Sequence, residues 1–256
     1  MSPVGAIVRK ELRSYFVSPI AYVVAGVFLV LLGLFLFLPV WAISNQSLQM
    51  LRAQGNLPDL NLNQYVLRPA FSNMEVVMLF VLPILTMRLF AEEKKLKTIE
   101  LLYTSPVTIT EIVIGKFVAA FLIFTGMIVL TASGILALSR VADFQWPPIF
   151  TAYLGIILLG GVFLSIGLLS SALSENQIIA VVLSFGLLLI LLLFDSIGQL
   201  LGDSPIGQVV TYLSPHGHFE RMVRGLIDSK DLIFFAAATV FGLFLTHRVI
   251  ESQRWR

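Results

Sequence analysis

Six long apolar runs decide what this chain can become. They cover residues of about 20–43, 71–90, 112–138, 149–173, 178–201 and 231–247. A hydrocarbon core of about 30 Å takes roughly 20 helical residues to cross, and most of these runs are that long. The second and the last are shorter and flanked by charge. All are continuously apolar rather than alternating, so they predict spanning helices and not the strands of a barrel. The chain is 57% hydrophobic, above the roughly 45–50% of soluble domains. The reading is a single all-α integral membrane domain over residues 1–256, with no soluble domain left over.

The N-terminus carries basic residues before an apolar run, as a signal peptide does. That run, IAYVVAGVFLVLLGLFLFL, is too long for the apolar region of a signal peptide, and no small-residue cleavage site follows it. It reads as a retained first span. There is no cysteine, which excludes disulfides and thiolate metal sites. A net charge of +2 implies no nucleic-acid partner.

Six spans place both chain ends on one side, and basic residues identify that side. Eleven of the 17 Lys and Arg fall there: Arg9, Lys10 and Arg13; Arg88, Lys94, Lys95, Lys97 and Lys116; Arg248, Arg254 and Arg256. Both termini are therefore expected in the cytoplasm, across a bacterial plasma membrane.

Residues 4–17, VGAIVRKELRSYFV, predict an amphipathic helix lying on that surface. At 100° per residue Val4, Ile7, Val8, Leu12, Tyr15 and Phe16 share one arc, and Arg9, Lys10 and Arg13 the opposite one. Ser18-Pro19 ends it. Glu11 falls inside the apolar arc. It reads either as a carboxylate reaching a basic neighbour or as a contact to a partner or to the charged segment below. Within the spans Glu75 and Asp195 stand near the outer ends and read as interfacial residues rather than a proton relay. The fourth span pairs Gly161 with Ser165 and Gly167 with Ser171 at four-residue spacing, which lets helices approach closely.

Between the second and third spans lies RLFAEEKKLKTIELLYTSPVTITEIVIGK, residues 88–116. A helix can continue from Arg88 through Tyr103, placing Ile99, Leu102 and Tyr103 on one side. Thr104-Ser105-Pro106 stops it. Thr108-Ile109-Thr110-Glu111 then reads as a capping box that starts the third span, and Lys116 as a side chain snorkelling to headgroups. Either this is a solvated loop, or it is a rigid elbow suited to receive a push from below. On the opposite side, residues 205–231 carry too many charges to span. Phe219, Met222, Val223, Leu226 and Ile227 recur at helical spacing with Arg221 and Arg224 turned away. A short amphipathic helix is expected there, or a pair broken around Ser214-Pro215. It would serve either as an external gate involving Phe219, Met222 and Gly225, or as an anchor for the last span. Gly225 reads as a hinge or a close-packing point.

The 88–116 stretch is similar to the cytoplasmic motif of ABC-2 type transporter permeases, closest to those of the gliding-motility and copper-processing type. Glu92, Glu93, Thr98, Glu100, Leu101, Leu102, Pro106, Val107, Thr108, Glu111, Gly115 and Lys116 match it. Lys97 stands where the family usually has Gly, and a Lys there favours continuous helix. RKELRSYFVSP resembles the family's connecting helix, Ser174-Glu175-Asn176-Gln177 its second cytoplasmic loop, and LSPHGHFERMVRGLIDSKDLIFF its external segment.

The resemblance implies six transmembrane helices with an N-terminal interfacial helix (Arg9, Lys10, Glu11, Arg13), a cytoplasmic coupling helix and an external amphipathic hairpin. It implies ATPase coupling through Glu92, Glu93, Thr98, Glu100, Leu102, Pro106 and Glu175. It further implies export, a separate ATP-binding subunit holding ATP and Mg, a second permease copy or paralogue, and contact with membrane lipids. Consistent with a separate ATPase, Gly115-Lys116 is followed by Phe117 and lacks a phosphate-cradling loop. Two rivals are weighed against it. One is a membrane-embedded enzyme built on His216, His218 and Glu220, although two His at i, i+2 point apart on a helix. The other is a channel or secondary transporter, disfavoured by the lack of an internal repeat.

Overall fold

The computed structural model describes residues 2–52, 63–99, 107–140, 144–202 and 204–254. Among these there is no strand, and six helices are long and apolar enough to cross a membrane. They correspond one for one to the apolar runs in the sequence.

The chain begins with α1 (Pro3–Val17), started by Ser2, whose Oγ accepts from the Gly5 N–H at 3.3 Å. Ser18 is extended (φ −82°, ψ 120°) ahead of Pro19, and this ends the helix as expected. The inward stripe of α1 consists of Glu11 and Tyr15, both buried, with Val4, Ile7, Val8 and Leu12 half-buried beside them. Phe16, assigned to the same arc by periodicity, points outward. Then come α2 (Pro19–Arg52), a π-helical turn (Asn63–Leu67) and α3 (Arg68–Thr86), which passes through Met87 into α4 (Arg88–Lys95). The remaining spans are α5 (Ile109–Leu138), α6 (Trp146–Leu173), α7 (Gln177–Leu200) and α10 (Ser229–Arg254).

The hub is α6. About 72% of its apolar window is buried, against 17% for both α2 and α7, and its small residues explain why. A Cβ at Gly160 would stand 2.0 Å from Phe124, one at Gly167 2.2 Å from Thr86 Oγ1, and one at Gly242 of α10 2.4 Å from Ser165 Oγ. Neighbouring helices therefore close onto α6 at distances that larger residues forbid. α1 reaches α5 in the same manner, since a Cβ at Gly115 would lie 2.8 Å from Ile7 Cγ2.

Two local expectations need correction. The helix after Arg88 does not run to Tyr103; it stops at Lys95. Lys97 sits in the left-handed region at φ 54°. Its N–H bonds to Lys94 O at 3.0 Å, and the Thr98 N–H bonds to Glu93 O at 2.9 Å, which is a Schellman cap. Half-buried Ile99 then packs against the core. Glu100, Leu101, Leu102, Tyr103 and Pro106 lie outside the described residues. The left-handed conformation costs a non-glycine residue about 1–2 kcal/mol, partly offset by the unfolded-state entropy of glycine, about 0.5–1 kcal/mol. Lys97→Gly should therefore raise the thermal midpoint by roughly 2 °C. A midpoint at or below the parent's in detergent melts would contradict the cap. The capping box forms as expected: Thr108 Oγ1 accepts from Glu111 N at 3.3 Å, and Glu111 Oε2 accepts from Thr108 N at 2.8 Å.

The second correction concerns the segment before the last span. It is the expected broken pair, α8 (Pro205–Tyr212) and α9 (Pro215–Val223), divided at Ser214. Gly225, however, lies beyond the helix end at φ 90°. It forms another Schellman cap, with Gly225 N on Met222 O at 3.0 Å and Leu226 N on Arg221 O at 3.1 Å. Of its two readings the close-packing one holds, since a Cβ there would lie 3.2 Å from Pro148 Cγ, and it terminates the helix rather than hinging within it. Leu226 and Ile227, read as part of the helical stripe, follow the end and are exposed.

Candidate functional site

On the face that carries both chain ends, α1, α4, the start of α5 and the ends of α6 and α10 converge. At their centre stands Lys116, 1% exposed. Its Nζ lies 2.8 Å from Glu11 Oε1, 2.9 Å from Glu93 Oε2 and 2.6 Å from the Leu89 carbonyl, and 5.2 Å from the Phe90 ring centroid. Lys10 Nζ closes the group from outside, 2.8 Å from Glu93 Oε1 and 3.9 Å from Glu11 Oε1. Two lysines and two carboxylates thus alternate, drawn from three segments far apart in sequence.

The expectation that Lys116 snorkels to headgroups is overturned. The cause is tertiary: α1 lies across this turn of α5, and Gly115 lets it approach closely enough to seal the lysine in. Glu11 is explained by the same contact. Both of its readings are met: it reaches its neighbour Lys10 at 3.9 Å and the charged segment through Lys116 at 2.8 Å. A buried ion pair is a poor source of net stability, but with every charge paired it fixes one relative placement of its elements, and removing one partner is expensive. Burial alone would depress Lys10. The hydrogen bond and charge of Glu93, with Glu11, outweigh that and leave its amine above the ordinary lysine value.

Two further residues were not singled out for these roles from sequence. The Tyr15 hydroxyl donates to the Leu85 carbonyl at 2.6 Å, burial pushes its phenol well up, and the Arg88 guanidinium lies 4.3 Å over its ring. Ser171 Oγ donates to Met87 O at 2.8 Å and accepts from the N–H groups of Phe90 and Ala91 at 3.0 and 3.1 Å. It thereby satisfies the backbone where α3 passes into α4. Lys94 Nζ and Gln253 Nε2 both donate to the Ala172 carbonyl at the end of α6.

Of the residues expected to couple, Glu93 joins Lys10 and Glu11 in the cluster. Glu92 is half-buried beside Arg88, Thr98 donates to Glu93 O at 3.3 Å, and Glu175 is exposed in the turn before α7. Arg9 and Arg13 are exposed on the outer side of α1. Glu100, Leu102 and Pro106 are outside the described residues. A signal for Lys116 was present: a carboxylate at Glu11 in an apolar arc needs a cation.

The opposite face is also held by charge. Glu75, expected near the outer end of its span, is buried beneath α9 rather than open to solvent, with Oε2 2.7 Å from His216 Nδ1. That hydrogen bond, against the opposing effect of burial, raises the His216 imidazole above its ordinary value. His218 Nδ1 meets Asp231 Oδ1 at 2.6 Å, its Nε2 meets the Tyr212 carbonyl at 2.9 Å, and its ring stacks on Phe234 at 4.0 Å. Arg221 also bonds Asp231. Glu220 sits between Arg224 and Arg68, and the hydrogen bond from Arg224 leads in lowering its carboxyl. His216, His218 and Glu220 thus turn to three different partners and do not converge on one point. Phe219 and Met222 face the bundle: a Cβ at Gly155 of α6 would lie 3.1 Å from each, and Thr151 Oγ1 donates to Met222 O at 2.6 Å.

A comparison with curated proteins found no match. The profile described as ABC-2 family transporter protein matches residues 5–250, from α1 almost to the end of α10. Six spanning helices, an N-terminal helix locked to the charged segment after the second span, and a family match over nearly the whole chain lead to one assignment: the protein belongs to the ABC-2 transporter family and is a multi-pass permease subunit.

Proposed function

We propose that this chain is the permease of an ATP-driven exporter whose energy comes from a separate ATP-binding subunit. In this reading the push arrives on the face that carries the termini and enters through Glu92, Glu93, Thr98, Glu100, Leu102, Pro106 and Glu175. The observation that supports it is the Lys116 cluster. A displacement of α4 cannot leave α1 and α5 behind without breaking buried ion pairs, so the three move as one body. ATP and Mg would reside in the partner chain. The excess of basic residues supports a cytoplasmic receiving face, and the resemblance to gliding-motility and copper-processing permeases favours export. Spans α2, α7 and α10 keep most of their apolar surface outward, with 17–22% of each window buried, and this suits lipid together with a second permease copy or paralogue. The α8–α9 pair would close the outer end. Because Met222 is buried, a cross-dimer tether to test that closure belongs at exposed Leu226.

The decisive experiment reconstitutes the permease with its ATP-binding subunit and compares Glu93→Ala with the parent. Transport should fall about tenfold or more while ATP hydrolysis continues and membrane insertion is unchanged. Transport at the parental rate would return the segment to a passive loop. In the cysteine-free background, Lys95→Cys should resist an impermeant thiol reagent in intact cells and Ser229→Cys should react. The reverse pattern would overturn the orientation.

A further inference from the structure

We infer that the face carrying the termini holds a resident phospholipid with an amine headgroup, seated between the α1–α2 elbow and the α3–α4 junction. Two adjoining hollows form the site. The first is a cavity of about 160 Å³ whose lining includes Tyr15, Arg88, Glu92 and Gln177. The second is a groove of about 390 Å³ between α2 and α3, lined only by valine, leucine, isoleucine and phenylalanine. Val24 and Ile84 line both, so the polar cavity and the apolar groove adjoin.

The cavity supplies one cation and one carboxylate. Arg88 Nη2 is buried without a hydrogen-bond partner, and its guanidinium is held over the Tyr15 ring. A guanidinium in this state wants an acceptor with several oxygens, and phosphate suits its planar donors. Glu92 is one turn further along α4 and half-buried. Among the described residues it forms no ion pair with Arg88. A ligand carrying only negative charge would satisfy Arg88 and oppose Glu92. A phosphate bearing an ammonium satisfies both, and Gln177 adds an amide.

The groove supplies the rest. It follows Val23, Val27 and Leu31 on α2 and Val76 to Ile84 on α3. The eight helical steps from Val76 to Ile84, at 1.5 Å each, make about 12 Å, close to the depth of one leaflet, half of a core of about 30 Å. A head that needs both charges, with an ammonium whose N–H groups donate to Glu92, joined to a chain lying in an apolar trough one leaflet deep, is a phosphatidylethanolamine. The inference rests on the membrane reading alone and not on the proposed coupling. Its position beside Tyr15 and Glu92 places lipid against the same elements that carry the Lys116 cluster.

The test is native mass spectrometry of the purified full chain in mild detergent, exchanged against phosphatidylethanolamine, phosphatidylglycerol and phosphatidylcholine. The parent should retain phosphatidylethanolamine about tenfold over the other two. Arg88→Gln should lose about tenfold in retention of all three, with Arg88→Lys keeping most of it, whereas Glu92→Gln should lose only the preference for the amine headgroup. Val77→Phe, which fills the groove, should reduce all lipids alike. Glycerophosphoethanolamine, the head without chains, should compete poorly. Parental retention of phosphatidylethanolamine by both Arg88→Gln and Glu92→Gln would overturn the site. Equal binding of the three lipids by the parent would reduce it to general annular contact, and strong competition by the chainless head would remove the groove from it. If Arg88→Gln fails to elute as folded protein, the Glu92→Gln arm and the head-only competitor decide the matter alone.

Discussion

Lys116→Met is expected to destabilise the protein by about 3–5 kcal/mol, the cost of leaving buried charge without its counter-ion. The lysine is 1% exposed and touches two carboxylates and a carbonyl. Met preserves most of the volume but leaves Glu11 and Glu93 facing each other. Lys10 cannot take over, because it approaches from the solvent side with 61% of its side chain exposed and already engages Glu93. In detergent melts the loss should appear as a fall of roughly 10 °C. Adding Glu11→Gln to Lys116→Met removes one of the stranded charges and should recover part of the fall. That rescue separates electrostatics from simple loss of packing, which a second polar substitution would not repair. A melting point for Lys116→Met within about 2 °C of the parent would mean that the amine reaches water after all.

The reach and the limits of sequence reading are visible at this cluster. The six spans, the N-terminal amphipathic helix, the capping box at Thr108 and the break at Ser214-Pro215 were legible because each follows from local chemistry: continuous apolarity, a 100° arc, a side-chain cap, a proline. Only the span limits came out short. The second apolar run ends near residue 90, whereas α3 and α4 carry the second span on through Arg88 to Lys95. Lys116 and Glu75 were misread for a common reason. Position along a span indicates depth, but burial depends on what lies across it, and neither α1 over Lys116 nor α9 over Glu75 can be deduced from periodicity. At Lys97 a local preference pointed the wrong way. A left-handed lysine costs only about 1–2 kcal/mol, and the cap it makes turns the chain so that Ile99 meets the core. The lysines, glutamates and glycines of residues 88–116 are therefore readable as a family pattern, while the ion pairs that make them a single body are readable only in three dimensions.

The other large effect is expected on the opposite face, at Asp231. This carboxylate is fully buried and accepts from His218 Nδ1 at 2.6 Å, from Arg221 Nε at 3.2 Å and from Arg221 Nη2, so it fastens α9 to the start of α10. Hydrogen bonds to charged groups are worth about 1.5–3 kcal/mol each, and Asp231→Ala removes the bond from His218 and the pair from half-exposed Arg221 while stranding the buried imidazole. A loss near 3 kcal/mol is the expected outcome. Glu220 offers the internal contrast: it joins Arg68 and Arg224, yet all three side chains are about a third or more exposed. Pairs in that setting contribute about 0–1 kcal/mol, so Glu220→Ala should change the melting point little. Hydrogen exchange shows where the loss falls. In Asp231→Ala the amides of α9 should open at lower free energy while those of α6 stay protected, because Phe219 and Met222 still hold α9 to α6 from beneath. Equal effects of the two substitutions would mean that burial does not set the strength of the clamp. The contrast also bears on how the outer end could open. An element fastened by a buried carboxylate on one side and an exposed ion pair on the other should separate first at the exposed pair. Any outward movement of α9 should therefore begin at Arg68 and Glu220, with Asp231 as the pivot.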